Sequence, residues 1–361
     1  MKKAAAAASQ GLSGSRQHGI AHTRLPLHLP LLLCLLMSLL MLLPHASKAQ
    51  DPQLSQFFAA PLYLNPALTG TTYEDRIAGN YRLQWTGLPK GYETYAFSYD
   101  HNSSGANSGY GGFVMHDQAG SLGLAFTHAG ASYAYAARID RHRTLRVGLR
   151  LGWTTREIGM GNALFADQVI RDNAPSSVES GFSEKISYFD AAFGALYHTE
   201  QFWLGASFSH INRPQQSLIN QGDVRLPMRT TVNTGYKMPV DGKPFRKSES
   251  FITLAAYYKS QLKWDQLDVG AYLEYKRLCA GLWYRGLPGL KAYAPGYPND
   301  DAVILMAGFE TTGQLRIVYS YDITISWLTP QSGGAHELSL QYEWPKRAKN
   351  RKYHAIPCPK F

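Results

Sequence analysis

Residues 144–156 read TLRVGLRLGWTTR. Leu145, Val147, Leu149, Leu151 and Trp153 alternate with Thr144, Arg146, Gly148, Arg150, Gly152 and Thr154. A period of two puts the first set on one face of a strand and the second on the other. A helix would scatter both sets around its axis. Arg146 and Arg150 fall in the second set, so one face of this strand is polar and the other apolar.

The pattern recurs toward the C-terminus. Over 266–277, Leu267, Val269, Ala271, Leu273 and Tyr275 oppose Asp268, Gly270, Tyr272, Glu274 and Lys276. Over 314–327, Leu315, Ile317, Tyr319, Tyr321, Ile323 and Ile325 share a face, with Arg316 and Asp322 on the other. Glu337, Ser339, Gln341 and Glu343 oppose Leu338, Leu340, Tyr342 and Trp344. Several runs reach the about 9–11 residues of a transmembrane strand, beyond the about 5–6 of a mean soluble strand. Roughly 14–15 strands are expected between Arg76 and Trp344, and bacterial barrels take even numbers. Closure removes the sheet edges that lipid cannot satisfy. The expected fold class is all-β: a transmembrane antiparallel β-barrel of about 14 strands spanning 75–344. A plug-like segment is expected over 50–74 and a short basic tail over 345–361. A soluble β-sandwich is the competing architecture, disfavoured by strand length.

Tyrosine is abundant, at 23 residues, and recurs near strand ends at Tyr92, Tyr95, Tyr99, Tyr197, Tyr257, Tyr258 and Tyr284. Trp85, Trp153, Trp203, Trp283, Trp327 and Trp344 sit similarly. Such rings are expected at the lipid–water boundary, where one end is apolar and the other hydrogen-bonds. If the apolar faces meet lipid, Arg76, Arg82, Arg146, Arg150, Arg156 and Arg316 point inward with Asp268, Glu274, Glu337 and Glu343. Charges so buried persist when paired. A lumen holding these pairs and an N-terminal segment is plugged; a water-filled pore of mixed charge is the alternative.

Residues 1–49 read as a secretory signal. Lys2, Lys3, Arg16 and Arg24 form a basic region, Leu31 to Leu43 is almost wholly apolar, and Ser47-Lys48-Ala49 is a small-x-small cleavage site. The apolar run is short for a membrane anchor. Cys34 lacks a lipobox context. Removing 1–49 takes five of the 36 Lys+Arg (with Lys48) and no acid, so the formal charge falls from +10 to +5. That balance gives no argument for nucleic acid. Two cysteines remain, Cys279 and Cys358. One disulfide is possible, but pairing is not read from spacing.

The mature chain opens DPQLSQFF (51–58), then PLYLNPALTGT (61–71), NYRLQW (80–85) and a tyrosine-rich strand ending SYD (98–100). Prolines hold their predecessors extended, so helix is not expected from Ala60 to Asn65. The order and spacing of these blocks resemble the start of the PorP/SprF family, outer-membrane proteins of the type IX secretion and gliding motility systems of Bacteroidetes. Gln56, Asn65, Pro66, Ala67, Arg82 and Trp85 carry the resemblance. The basic end, with Lys346, Arg347, Arg351, Lys352 and Pro357-Cys358-Pro359, is also similar. It reads either as a solvated periplasmic tail, or as a docking segment for a periplasmic partner or a piece folded back into the barrel mouth, and the resemblance favours the second pair of readings over the first.

No active site is evident. There is no Gly-x-Ser-x-Gly, phosphate loop or metal-ligand spacing, and neither cofactor nor metal is expected. His116-Asp117 and His128 could be imagined in an acyl hydrolase, but twelve histidines put some near acids by chance. Nucleophilic catalysis needs a base and an orienting acid in fixed geometry. The resemblance implies a non-enzymatic barrel supporting export or surface anchoring of adhesin-like proteins with a C-terminal sorting domain. It also implies periplasmic type IX components, or a peptidoglycan-binding lipoprotein, as partners. The other reading is a transport barrel for a hydrophobic or small solute, which Asn65-Pro66-Ala67 near the N-terminus also fits.

Overall fold

The alternation at 144–156 becomes a strand, Thr144–Glu157, whose Leu145, Val147, Leu149, Leu151 and Trp153 are exposed while Arg146 and Arg150 are buried. The computed structural model describes residues 51–103, 105–120, 123–159, 166–171, 184–218, 222–287, 292–294, 297–326 and 329–344. The proposed signal at 1–49, Gln50, Trp327 and the tail at 345–361 lie outside the described residues, and with them Lys346, Arg347, Arg351, Lys352 and Cys358.

The strands are β1 (Asp75–Gln84), β2 (Tyr92–Ser103), β3 (Ser108–Ala119), β4 (Leu124–Arg138), β5 (Thr144–Glu157), β6 (Lys185–His198), β7 (Phe202–Ser209) and β8 (Arg229–Pro239). There follow β9 (Ser250–Gln261), β10 (Trp264–Tyr275), β11 (Leu278–Gly286), the short β12 (Ala292–Ala294) and β13 (Tyr297–Pro298), β14 (Asp300–Glu310), β15 (Leu315–Thr324) and β16 (Ala335–Glu343). All but β12 and β13 form one closed barrel, each strand antiparallel to its neighbours; among the described residues it has 14 strands. Closure runs from Arg76↔Glu343 to Gln84↔Ala335. The runs expected over 266–277 and 314–327 are shifted or shortened to Trp264–Tyr275 and Leu315–Thr324.

Both ends of the barrel sequence, Asp75 and Trp344, lie at one end of the cylinder, where Trp344 N donates to Asp75 O at 3.0 Å. We call this the near end. Short connections such as Tyr275 to Leu278 and Glu310 to Leu315 share it. The three longest connections, 158–184, 210–228 and 287–299, all lie at the far end. No helix among the described residues is long and apolar enough to cross a membrane; the crossing elements are strands.

Residues 51–74 run inside the barrel from the far end to the near end. Leu54, Phe57, Phe58, Leu62, Leu64, Ala67 and Leu68 are all buried there. The expectation of no helix from Ala60 to Asn65 is corrected: Pro61–Leu64 forms one helical turn. Pro61 stands at its first position, where the missing N–H costs nothing. The turn ends where Pro66 forces Asn65 extended (φ −156°, ψ 120°).

The aromatics divide. Tyr92, Tyr95, Tyr99 and Trp153 are exposed on the outer wall. Trp203, Trp283 and Tyr257 are not boundary residues but face the lumen, buried. Trp203 lies against Gly235 and Trp283 against Gly270, their cross-strand partners, where no side chain competes for the space. Phe57 stacks on Tyr257 at 4.4 Å and meets Trp283 edge-on at 5.3 Å, and Phe58 meets Trp203 edge-on at 6.2 Å. Aromatic pairs so arranged add about 0.5–1.5 kcal/mol each beyond their buried area.

Candidate functional site

The polar inner wall and the buried inner segment meet in three clusters. The first holds the start of the segment. Backbone N–H groups of Ser55 and Gln56 donate to the Glu337 carboxylate at 2.6 and 3.1 Å. Arg82 bridges Glu337 (3.2 Å) and Asp322 (2.9 Å) and donates to Ser55 Oγ at 2.7 Å. Arg285 lies between Asp322 and Asp268, 3.1 Å from each. The Gln56 amide donates to Glu337 O (2.9 Å) and Ser320 Oγ (3.0 Å) and accepts from Ser339 Oγ (2.5 Å). Four strands, β1, β11, β15 and β16, thus converge on two residues of the segment.

The second cluster clamps Asp51. Its carboxylate takes Arg229 Nη1 at 2.8 Å and His210 Nε2 at 2.8 Å. The other ring nitrogen of His210 lies 2.8 Å from Asp190 Oδ1. A ring with a carboxylate on each nitrogen is satisfied only as the imidazolium, donating twice. Burial works against that charge at His210, but Asp51 and Asp190 outweigh it and raise the pKa above its ordinary value. Burial would raise Asp51, yet His210 and Arg229 hold its carboxyl far below the ordinary range. Arg229 also donates to Tyr63 Oη at 2.7 Å.

The third cluster holds the backbone where the segment turns. Arg146 donates to Ala67 O (3.0 Å) and Thr69 O (2.5 Å), and Arg150 to Leu62 O (3.1 Å) and Tyr63 O (3.0 Å). Asp100 accepts from Gly70 N at 2.6 Å and pairs with Arg76 at 2.8 Å. Asn65 accepts from Ala67 N (2.9 Å) and donates to Ala195 O and Ala206 O, both at 3.1 Å. Its approach to the wall requires glycine: a Cβ on Gly194 would overlap Asn65 Oδ1, and one on Gly148 would overlap Pro66 and Ala67. Gly194→Val is therefore expected to expel Asn65 and cost about 1–3 kcal/mol by overpacking. Urea unfolding of the vesicle-inserted protein reads the loss; a midpoint equal to the parent's would show the wall gives way freely.

Of the residues picked out in sequence, Gln56, Asn65, Pro66, Ala67, Arg82, Arg146, Arg150, Asp268 and Glu337 are all buried in this lumen. Arg316 and Glu274 stand apart, near the rim of the near end, paired with Glu310 and Lys237 respectively. Trp85 lies past the end of β1 with φ 60°, its ring edge-on to Tyr92 at 5.1 Å. Sequence reasoning passed over Asp51, Asp100, Asp190, His210, Arg229 and Arg285. His116 and His128 engage Thr127 and Thr154. Among the described residues no group of three or more His, Cys, Asp or Glu side chains is arranged to hold a metal ion.

The family profile described as type IX secretion system membrane protein PorP/SprF matches residues 46–342. This chain belongs to the PorP/SprF family. The match spans the inner segment and nearly the whole barrel. A membrane protein of this family that crosses as a closed barrel resides in the outer membrane. No curated protein matches the chain. Solved structures similar in outline include the Acinetobacter baumannii outer membrane protein Omp33 (TM-score 0.43, 9% identity, covering 76% of this chain and 100% of that one). The P. putida toluene transporter TodX gives 0.43 and 11% over 77% and 90%, and the CymD monoaromatic hydrocarbon channel 0.45 and 9% over 80% and 94%. Likeness at that level carries no argument about activity.

Proposed function

We propose that this PorP/SprF barrel works without covalent chemistry, supporting the export or surface anchoring of large adhesin-like proteins with a C-terminal sorting domain. The observation that carries the reading is the bolting of residues 51–74 into the lumen by Arg82, Arg146, Arg150, Arg229 and Arg285. A lumen so filled acts as a plug. With the lumen occupied in this way, recognition falls to the ends of the cylinder. The long far-end connections point outward, as in outer-membrane barrels generally, and engage the cargo. The near end faces the periplasm and engages other type IX components or a peptidoglycan-binding lipoprotein. Binding there rests on rim aromatics and complementary charge.

Affinity capture of the tagged full chain from detergent-solubilised outer membrane, followed by mass spectrometry, tests this. Recovery of a large secreted protein with a sorting domain, or of periplasmic type IX components, is the expected result. A barrel recovered alone would sink it. Solute transport predicts a different outcome: steady ion conductance through the purified barrel in a planar bilayer, where the plug reading expects only background leak.

A further inference from the structure

We infer that the near-end mouth of the barrel is the docking place of the chain's own C-terminal tail, locked there by a disulfide between Cys279 and Cys358. Cys279 lies one residue into β11, on the inward phase of that strand, and is partly buried. It borders a cavity of about 640 Å³ that opens at the near end. Glu310 and Arg316 on its wall also line a second cavity, of about 250 Å³, bordered by Glu343 and Trp344. The two cavities form a track that begins where the described chain ends and leads to the Cys279 thiol.

The tail has the length and the chemistry for this track. Cys358 is fourteen residues beyond Trp344. Extended chain of that length reaches about 46 Å. The strand order β16-β15-β14-β11 places Cys279 only three strand spacings away, about 14 Å. The larger cavity is mixed in character. Its Lys237 pairs with Glu274 and its Arg316 with Glu310, and Phe251, Leu278 and Phe309 add apolar surface. The stretch Ala355-Ile356-Pro357-Cys358-Pro359 suits such walls, carrying no charge and, at its two prolines, no N–H to satisfy. The basic stretch 346–352 then spans the outer part of the track, past Glu343.

An exported barrel folds where disulfides persist. Each thiol gives up a proton and the pair gives up two electrons, forming the S–S bond. The acceptor is the disulfide of an exported thiol oxidoreductase, which leaves as a dithiol.

The test uses the full chain in isolated outer membranes, with thiols alkylated before extraction. Non-reducing peptide mapping is expected to recover the Cys279 and Cys358 peptides joined and neither alkylated. Alkylation of either cysteine in most molecules overturns the disulfide, as does Cys358 joined to another chain. The Cys358→Ser variant separates docking from folding. It should keep the heat-modifiable mobility of a folded barrel while Cys279 becomes alkylated. Trypsin should then cut the 346–352 stretch about tenfold faster than in the oxidised parent, following the released tail. Equal cutting in parent and variant would refute the seated tail.

Discussion

Arg82→Ala is expected to destabilise the protein by about 3–5 kcal/mol, the usual cost of leaving buried charges without their partner. Arg82 is 1% exposed and serves Ser55 Oγ, Glu337 and Asp322 at once, with Gln84 Oε1 farther off at 3.5 Å. Without it Asp322 keeps Arg285, but Glu337 keeps only hydrogen bonds from the segment it is meant to hold. The loss therefore falls on the attachment of the inner segment as well as on the wall. Arg82→Lys should recover little, because a point charge cannot replace a planar fork reaching separate carboxylates. Denaturant unfolding in detergent, followed by loss of heat-modifiable mobility, measures the change. An Arg82→Ala protein as stable as the parent would mean that the cluster contributes nothing to holding the segment.

The outer wall was legible because lipid on one side and polar residues on the other impose a strict period of two. Arg146 and Arg150 were placed inward by that period alone. The lumen was harder to read, because its contacts depend on which strands face each other across it. Trp203 and Trp283 were mistaken for boundary residues by their position near strand ends. The correcting signal was their phase: Trp203 alternates in step with Gly205, Ser207 and Ser209, and Trp283 with Gly281 and Arg285. Their fit against Gly235 and Gly270 depends on register, which no single strand encodes. Asp51 offered no local sign at all. Its partners, Asp190's histidine and Arg229, lie more than a hundred residues away and come together only when the barrel closes. The one helical turn at Pro61–Leu64 was missed because Pro61 was read only for what it forbids upstream.

The second large effect concerns pH at the far end of the segment. His210 has a folded pKa above its ordinary 6.5, so its contribution is fully present below that value and fades as pH rises through the raised pKa. Asp51 has the opposite shift. Its contribution is present above its ordinary 3.8 and fades only as pH falls through its far lower folded value. The clamp is therefore strongest between these ordinary values and loosens on the alkaline side, where Arg229 remains the cation paired with Asp51. His210 faces Asp51 and Asp190 directly, with His128 3.9 Å beyond on Asp190, while Arg150 bonds the backbone of Leu62 and Tyr63. None of these supplies a second imidazolium to replace it. His210→Gln keeps the size and one amide donor but cannot donate to both carboxylates or carry charge. It should cost about 3–5 kcal/mol in the plateau, as for a broken buried pair, and progressively less as pH rises and the parent itself weakens. Unfolding midpoints of both proteins across that range give the comparison. Parallel pH profiles would mean that His210 does not titrate against Asp51. Profiles that converge on the alkaline side would identify this histidine as the group that ties the start of the inner segment to the far-end rim.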